Sequence, residues 1–165
     1  MASEQSFDIV SDFDQQELVN AVDQAQREIQ TRYDLKDTKT SLTLSKTELV
    51  IETDNEMSLS SVRDILETKV LRRKLSLKVL KYGAPQDVTG SRIRQVATLQ
   101  KGINSDLAKK IAKQIRDQFP KIQPRIQGDT LRVASKSRDE LQAVIAFLRE
   151  REGEIEVPLQ FTNFR

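Results

Sequence analysis

One order of elements is written twice in this chain, and no other feature limits the fold so strongly. At 125–127 a short strand, RIQ, runs into Gly128-Asp129, a pair suited to the positive φ of a tight hairpin. Leu131 and Val133 then alternate with Arg132 and Ala134, the period of a half-buried strand. Ser137 precedes Glu140 by three residues as a capping box, and Leu141, Val144, Ile145 and Leu148 mark one face of the helix it opens. The same succession appears earlier: SLTL, the turn Ser45-Lys46-Thr47, ELVIET, and a helix carrying Leu59, Val62, Ile65 and Leu66. A chain built this way contains a duplicated strand–hairpin–strand–helix unit.

The flanking segments extend each unit. Ser6 to Ser11 reads as a strand with Phe7 and Ile9 on one face, and a helix from Asp14 to about Tyr33 follows, with Leu18, Val22, Ala25 and Ile29 inward. Leu75, Leu77 and Val79 alternate as a strand after the second helix. Residues 81–90, KYGAPQDVTG, concentrate Gly and Pro as a linker. Residues 91–100 form a further strand, 104–118 a helix that Pro120 stops, and Val157 to Phe161 a last strand. Each half is thus β-α-β-β-α-β, whose open form is an α+β ferredoxin-like sandwich: a four-stranded antiparallel sheet with two helices on one face. A single larger mixed sheet is the alternative.

Composition narrows the chemistry. The chain has no cysteine and no histidine, so it has no disulfide, no Ser-His-Asp triad and no His/Cys metal site. No apolar run approaches the roughly 20 residues of a membrane span, and MASEQSFDIV lacks a signal pattern, so a cytoplasmic location is expected. The net charge of +2 hides a segregation along the chain: residues 1–68 sum to −9, 69–138 to +14 and 139–165 to −3. A segment this basic suits a phosphate-bearing partner, unless it is neutralised by the acidic parts.

The candidate contacts follow from the open face of the second sheet. With Leu131 and Val133 turned to the helices, Arg132 faces outward. With Ile126 inward, Arg125 and Gln127 do the same, giving donors for phosphates and base edges. Lys136 and Arg138 flank the N-cap Ser137, where free N–H groups favour an anion. Lys109 and Lys113 share a helix face, and Lys101 precedes Gly102 just ahead of that helix. The third-strand sequences LVIET and LRVAS carry no aromatic residue and Phe7 is assigned to the core, so base stacking on the central strands is not expected.

Taken together, SFDIVS, NAV at 20–22, RYDLK at 32–36, KGI at 101–103, AKKI at 108–111, IQGD at 126–129, KSRDELQ at 136–142 and the terminal QFTNFR span nearly the whole chain. In these blocks it resembles the YajQ-like family of bacterial nucleotide-binding proteins. That resemblance implies two ferredoxin-like domains with exchanged first strands. The first then covers 12–100, completed by the strand at 91–100, and the second covers 1–11 with 101–165. It also implies non-enzymatic binding of nucleotide or RNA, with cyclic di-GMP as a ligand of some members, and no cofactor. The family's usual RFDFKG block is changed at Tyr33, Leu35 and Asp37.

The leading expectation is therefore a non-catalytic binder of GTP, ATP, cyclic di-GMP or RNA through Lys101, Lys109, Lys113, Arg125, Gln127, Arg132, Lys136 and Arg138. The alternative is a regulatory adaptor for a protein partner, switched by a nucleotide. A magnesium-dependent phosphohydrolase using Asp8 and Asp12 is the third reading.

Overall fold

The computed structural model describes residues 4–165; residues 1–3 of the expected second domain lie outside the described residues. The chain separates into two compact units, one of residues 13–100 and one of residues 1–12 with 101–165. Its architecture is α+β, with a repeated β-α-β-β-α order: β1 (Gln5–Val10), α1 (Gln15–Thr31), β2 (Ser41–Leu44), β3 (Glu48–Thr53) and α2 (Glu56–Arg72) come first. After β4 (Leu80–Tyr82) and β5 (Gln86–Val88) come β6 (Arg92–Leu99), α3 (Ser105–Gln118), β7 (Arg125–Gln127), β8 (Thr130–Ser135), α4 (Arg138–Glu150) and β9 (Gln160–Thr162). Among the described residues, no helix is long and apolar enough to cross a membrane.

In the unit of residues 13–100 the sheet order is β2-β3-β6-β4, with β5 also on β6. Asp14 caps α1 by accepting from Gln16 and Glu17 N–H groups, and Asn55 caps α2 through Ser58 N–H, satisfying donors that a helix start leaves free. Leu18, Ala25 and Ile29 of α1 and Val62, Leu66 and Val70 of α2 pack on Leu49 and Ile51 of β3 and Ile93 and Ala97 of β6. Two expectations are corrected here. Residues 81–90 are not a free linker, because Gln86–Val88 pairs antiparallel with Arg92–Arg94 as a hairpin. The strand expected from Leu75 begins only at Leu80: Ser76 caps a 3-10 turn over Leu77–Val79, and that turn satisfies the backbone before pairing starts.

In the other unit the sheet order is β7-β8-β1-β9. β1 is an interior strand, antiparallel to β8 on one side and β9 on the other. Phe7 and Ile9 point into a core with Leu131, Val133, Ile111, Ile115, Val144 and Leu148. Gly128 alone of the β7–β8 turn takes positive φ, +60°, and the hairpin closes Gln127 on Thr130. Ile126, expected inward, keeps 44% of its surface exposed because β7 is a short strand at the sheet edge. The last strand starts at Gln160 rather than Val157, since Pro158 has no N–H to donate to a ladder.

The division into units dissolves the charge segregation seen along the chain. The basic segment breaks at Gln100: 69–100 sums to +7 and joins the acidic residues of one unit, while 101–138, also +7, joins the other. Each unit as a whole sums to +1. Binding must then rest on local clusters.

Candidate functional site

On the open face of the β7-β8-β1-β9 sheet, registry builds a row from strand to strand. Arg125 stands opposite Arg132, Arg132 opposite Asp8, and Asp8 opposite Thr162. Asp8 is buried, and its carboxylate accepts from Arg132 Nε at 3.1 Å and from Asn163 Nδ2 at 2.8 Å. Burial pushes the Asp8 carboxyl up. The hydrogen bonds from Asn163 and Arg132, with the charges of Arg132 and Arg165, outweigh that and hold it below the ordinary carboxylate value. Arg132 is thereby committed to its own sheet.

The sign of that shift sets a pH dependence. A carboxyl depressed in the folded state contributes stability above its unfolded value, near pH 4, and loses it as pH falls through the folded value. Urea midpoints measured from pH 7 to pH 3 therefore fall more steeply for the wild type than for Asp8→Asn, and the difference lies in the acid range.

Lys101 is also engaged, with its Nζ 3.2 Å from Asp12. The adjoining Gly102 N–H donates to the Ser11 carbonyl at 2.6 Å, so it is not a phosphate donor. Gly102 has φ +85°, where any other residue is strained, and a Cβ there would lie 2.7 Å from the Asp129 carboxylate, which would have to shift. Lys109 and Lys113 are exposed on α3, and Gln127 ends the hairpin; none of the three lines a described cleft.

Arg125, Lys136 and Arg138 are brought to the N-terminal end of α4. One cleft of about 500 Å³ is walled by Lys121, Gln123, Arg125, Lys136 and Ser137. The other, of about 610 Å³, is walled by Gln5, Arg138, Gln142, Phe164 and Arg165. The two share Glu4. Among the described residues, Lys121, Arg125, Lys136 and Arg138 enter no ion pair, unlike Lys101 and Arg132.

The capping box is built with a relay. Ser137 Oγ accepts from Glu140 N–H at 3.2 Å, as expected. The return contact passes through Ser135, whose hydroxyl accepts from Ser137 N–H at 3.0 Å and donates to the Glu140 carboxylate at 3.1 Å. Glu140 lines the first cleft, as does Glu4, so two carboxylates stand beside Lys121, Arg125 and Lys136 at the helix start.

Sequence reasoning missed Lys121, Gln142, Phe164 and Arg165. Phe164 is 58% exposed, and its ring stacks on buried Phe7 with centroids 5.8 Å apart and planes 25° apart. Stacking residues are expected on the central strands of such a sheet, whereas Phe164 lies just beyond β9. The QFTNFR terminus, an aromatic beside an arginine, was the signal available. No group of three acidic side chains among the described residues could hold a metal ion. The arrangement can bind an anion attached to a flat ring.

Comparison with known proteins agrees in coverage and is specific. The family model described as "Nucleotide-binding protein YajQ-like" matches residues 5–165. A protein of Chloroflexus aggregans, named a nucleotide-binding protein, is 75% identical over 165 residues, covering 100% of both chains. Proteins of the same description from Chloroflexus aurantiacus and Synechococcus elongatus are 74% and 58% identical, again over 100% of both chains. The chain belongs to the YajQ-like nucleotide-binding protein family.

Proposed function

We propose that this protein is a non-catalytic binder of nucleotides that takes phosphate oxygens at Lys121, Arg125 and Lys136 and rests a base on Phe164 beside Arg138 and Gln142. The observation that carries this reading is the pair of clefts sharing Glu4, lined by Lys121, Arg125, Lys136, Arg138 and Arg165 against the carboxylates of Glu4 and Glu140, with one exposed aromatic ring. Cleft volumes of this size suit a small organic ligand. Charge-assisted hydrogen bonds from lysine and arginine supply affinity, and the ring supplies a base-tolerant surface. GTP, ATP, cyclic di-GMP and the nucleotides of a single-stranded RNA all carry this chemistry. The names of the relatives support the nucleotide class.

The proposal extends to the architecture that positions the clefts. We take the two units as ferredoxin-like sandwiches, 12–100 and 1–11 with 101–165, that exchange their first strands. Pairing of β1 with β8 and β9, and of β6 with β3 and β4, supports that reading.

Fluorescence anisotropy with labelled GTP, ATP, cyclic di-GMP and a short RNA tests the function. Binding is expected to weaken between about 50 and 200 mM salt, with a log–log slope set by the number of phosphates neutralised. Salt-independent binding contradicts the phosphate contacts. Failure to bind every probe removes the nucleotide reading and leaves a protein partner as the ligand class.

A further inference from the structure

Beyond that site, the unit of residues 13–100 carries its own strongly basic groove. It lies between α1 and α2, has a volume of about 570 Å³, and is lined by Arg27, Lys69, Arg72, Arg73 and Lys74, with Glu17 as the carboxylate. Part of this charge is explained by the fold. Arg27 meets Asp23 at 3.0 Å, Lys69 meets Glu28 at 3.0 Å, Arg73 meets Glu17 at 3.6 Å, and Lys69 and Arg72 complement the C-terminal dipole of α2. Arg72 and Lys74 are not explained that way by pairing, since neither enters an ion pair among the described residues.

Lys74 adds a second, independent observation. α2 ends in a Schellman motif: Leu75 N–H donates to the Val70 carbonyl and Lys74 N–H to the Leu71 carbonyl. The residue after the cap must then be left-handed, the position where glycine is preferred. Lys74 occupies it at φ +61°. A lysine at this point works against local stability, and its gain is a fifth cation in the groove.

We infer that this groove binds the phosphates of a nucleic-acid backbone, without reading bases, as a second site separate from the one proposed above. The Arg72 guanidinium, with no ion pair among the described residues, presents a planar fork that matches phosphate oxygens, and Lys74 adds an unpaired ammonium beside it. No aromatic side chain lines the groove, so bases have no stacking surface. No apolar residue lines it either, so it lacks the aromatic and apolar anchors around which protein interfaces are usually centred.

The test uses the full chain carrying Arg125→Ala and Lys136→Ala, so that the first site is weakened. Residual binding of labelled oligouridine and oligoadenine is expected to be equal, salt-sensitive and displaced by tripolyphosphate only at higher concentration. Adding Lys74→Gly weakens it roughly fivefold and lowers the salt slope by about 1, while the melting temperature rises by roughly 2–4 °C. Arg72→Gln weakens binding similarly without the rise. Unchanged RNA affinity in both variants overturns the inference, even if the first site is sound. Tripolyphosphate binding as tightly as RNA, or an acidic peptide binding in its place, overturns the nucleic-acid assignment.

Discussion

Phe7→Ala is expected to destabilise the unit formed by residues 1–12 and 101–165 by about 3–5 kcal/mol, the range for removing a fully buried phenylalanine. Phe7 has no exposed surface and sits on β1, which pairs on both edges. Its ring meets Phe161 edge-on at 5.9 Å and lies under Phe164 at 5.8 Å. Alanine leaves a cavity that those two rings cannot fill, because their own backbones are fixed by β9 and by the Ser6–Arg165 pair of hydrogen bonds. Urea unfolding followed by hydrogen exchange should show amides of β8 and α4 losing protection first. The substitution also removes the support of the exposed Phe164 ring, so nucleotide affinity should fall under conditions where the variant is still folded.

The second large effect falls on binding with little effect on stability. Arg125 and Lys136 are exposed and enter no ion pair among the described residues, so replacing both by alanine should leave the unfolding midpoint nearly unchanged. Each is expected to make a charge-assisted hydrogen bond to phosphate. Losing both should weaken nucleotide binding roughly tenfold to a hundredfold after allowance for solvent screening. Arg132→Ala is a poorer probe, because it strips a partner from the buried Asp8 carboxylate and costs stability of about 1–3 kcal/mol in its own right. Isothermal titration of the double variant alongside its denaturation curve separates the two effects.

The local part of the architecture was legible because it is written locally. Alternation in LVIET and LRVAS, the Gly128 turn, and caps at Asp14 and Ser137 each depend on residues a few positions apart. Pairing of β1 with β8 joins residues more than 120 positions apart. No local pattern encodes that partner, and only the family resemblance suggested it. Charge is non-local in the same way: the +14 run along the chain crosses a unit boundary, and each half meets acidic neighbours from elsewhere. Among the candidate contacts, no local pattern separates Arg132 and Lys101, held by Asp8 and Asp12, from Arg125, Lys136 and Arg138. Opposed strands set the first pair, and strand register is decided by packing.

The central claim is the placement of a nucleotide at the N-terminal end of α4 beside Phe164. The most direct measurement is an amide and side-chain NMR titration of the full chain with unlabelled GTP at moderate salt. The account predicts saturable shifts at Lys121, Arg125, 134–142 and 160–165, and shielding of the Phe164 ring protons by a stacked base. Saturable shifts confined to other residues, with 134–142 and Phe164 unmoved, would contradict it.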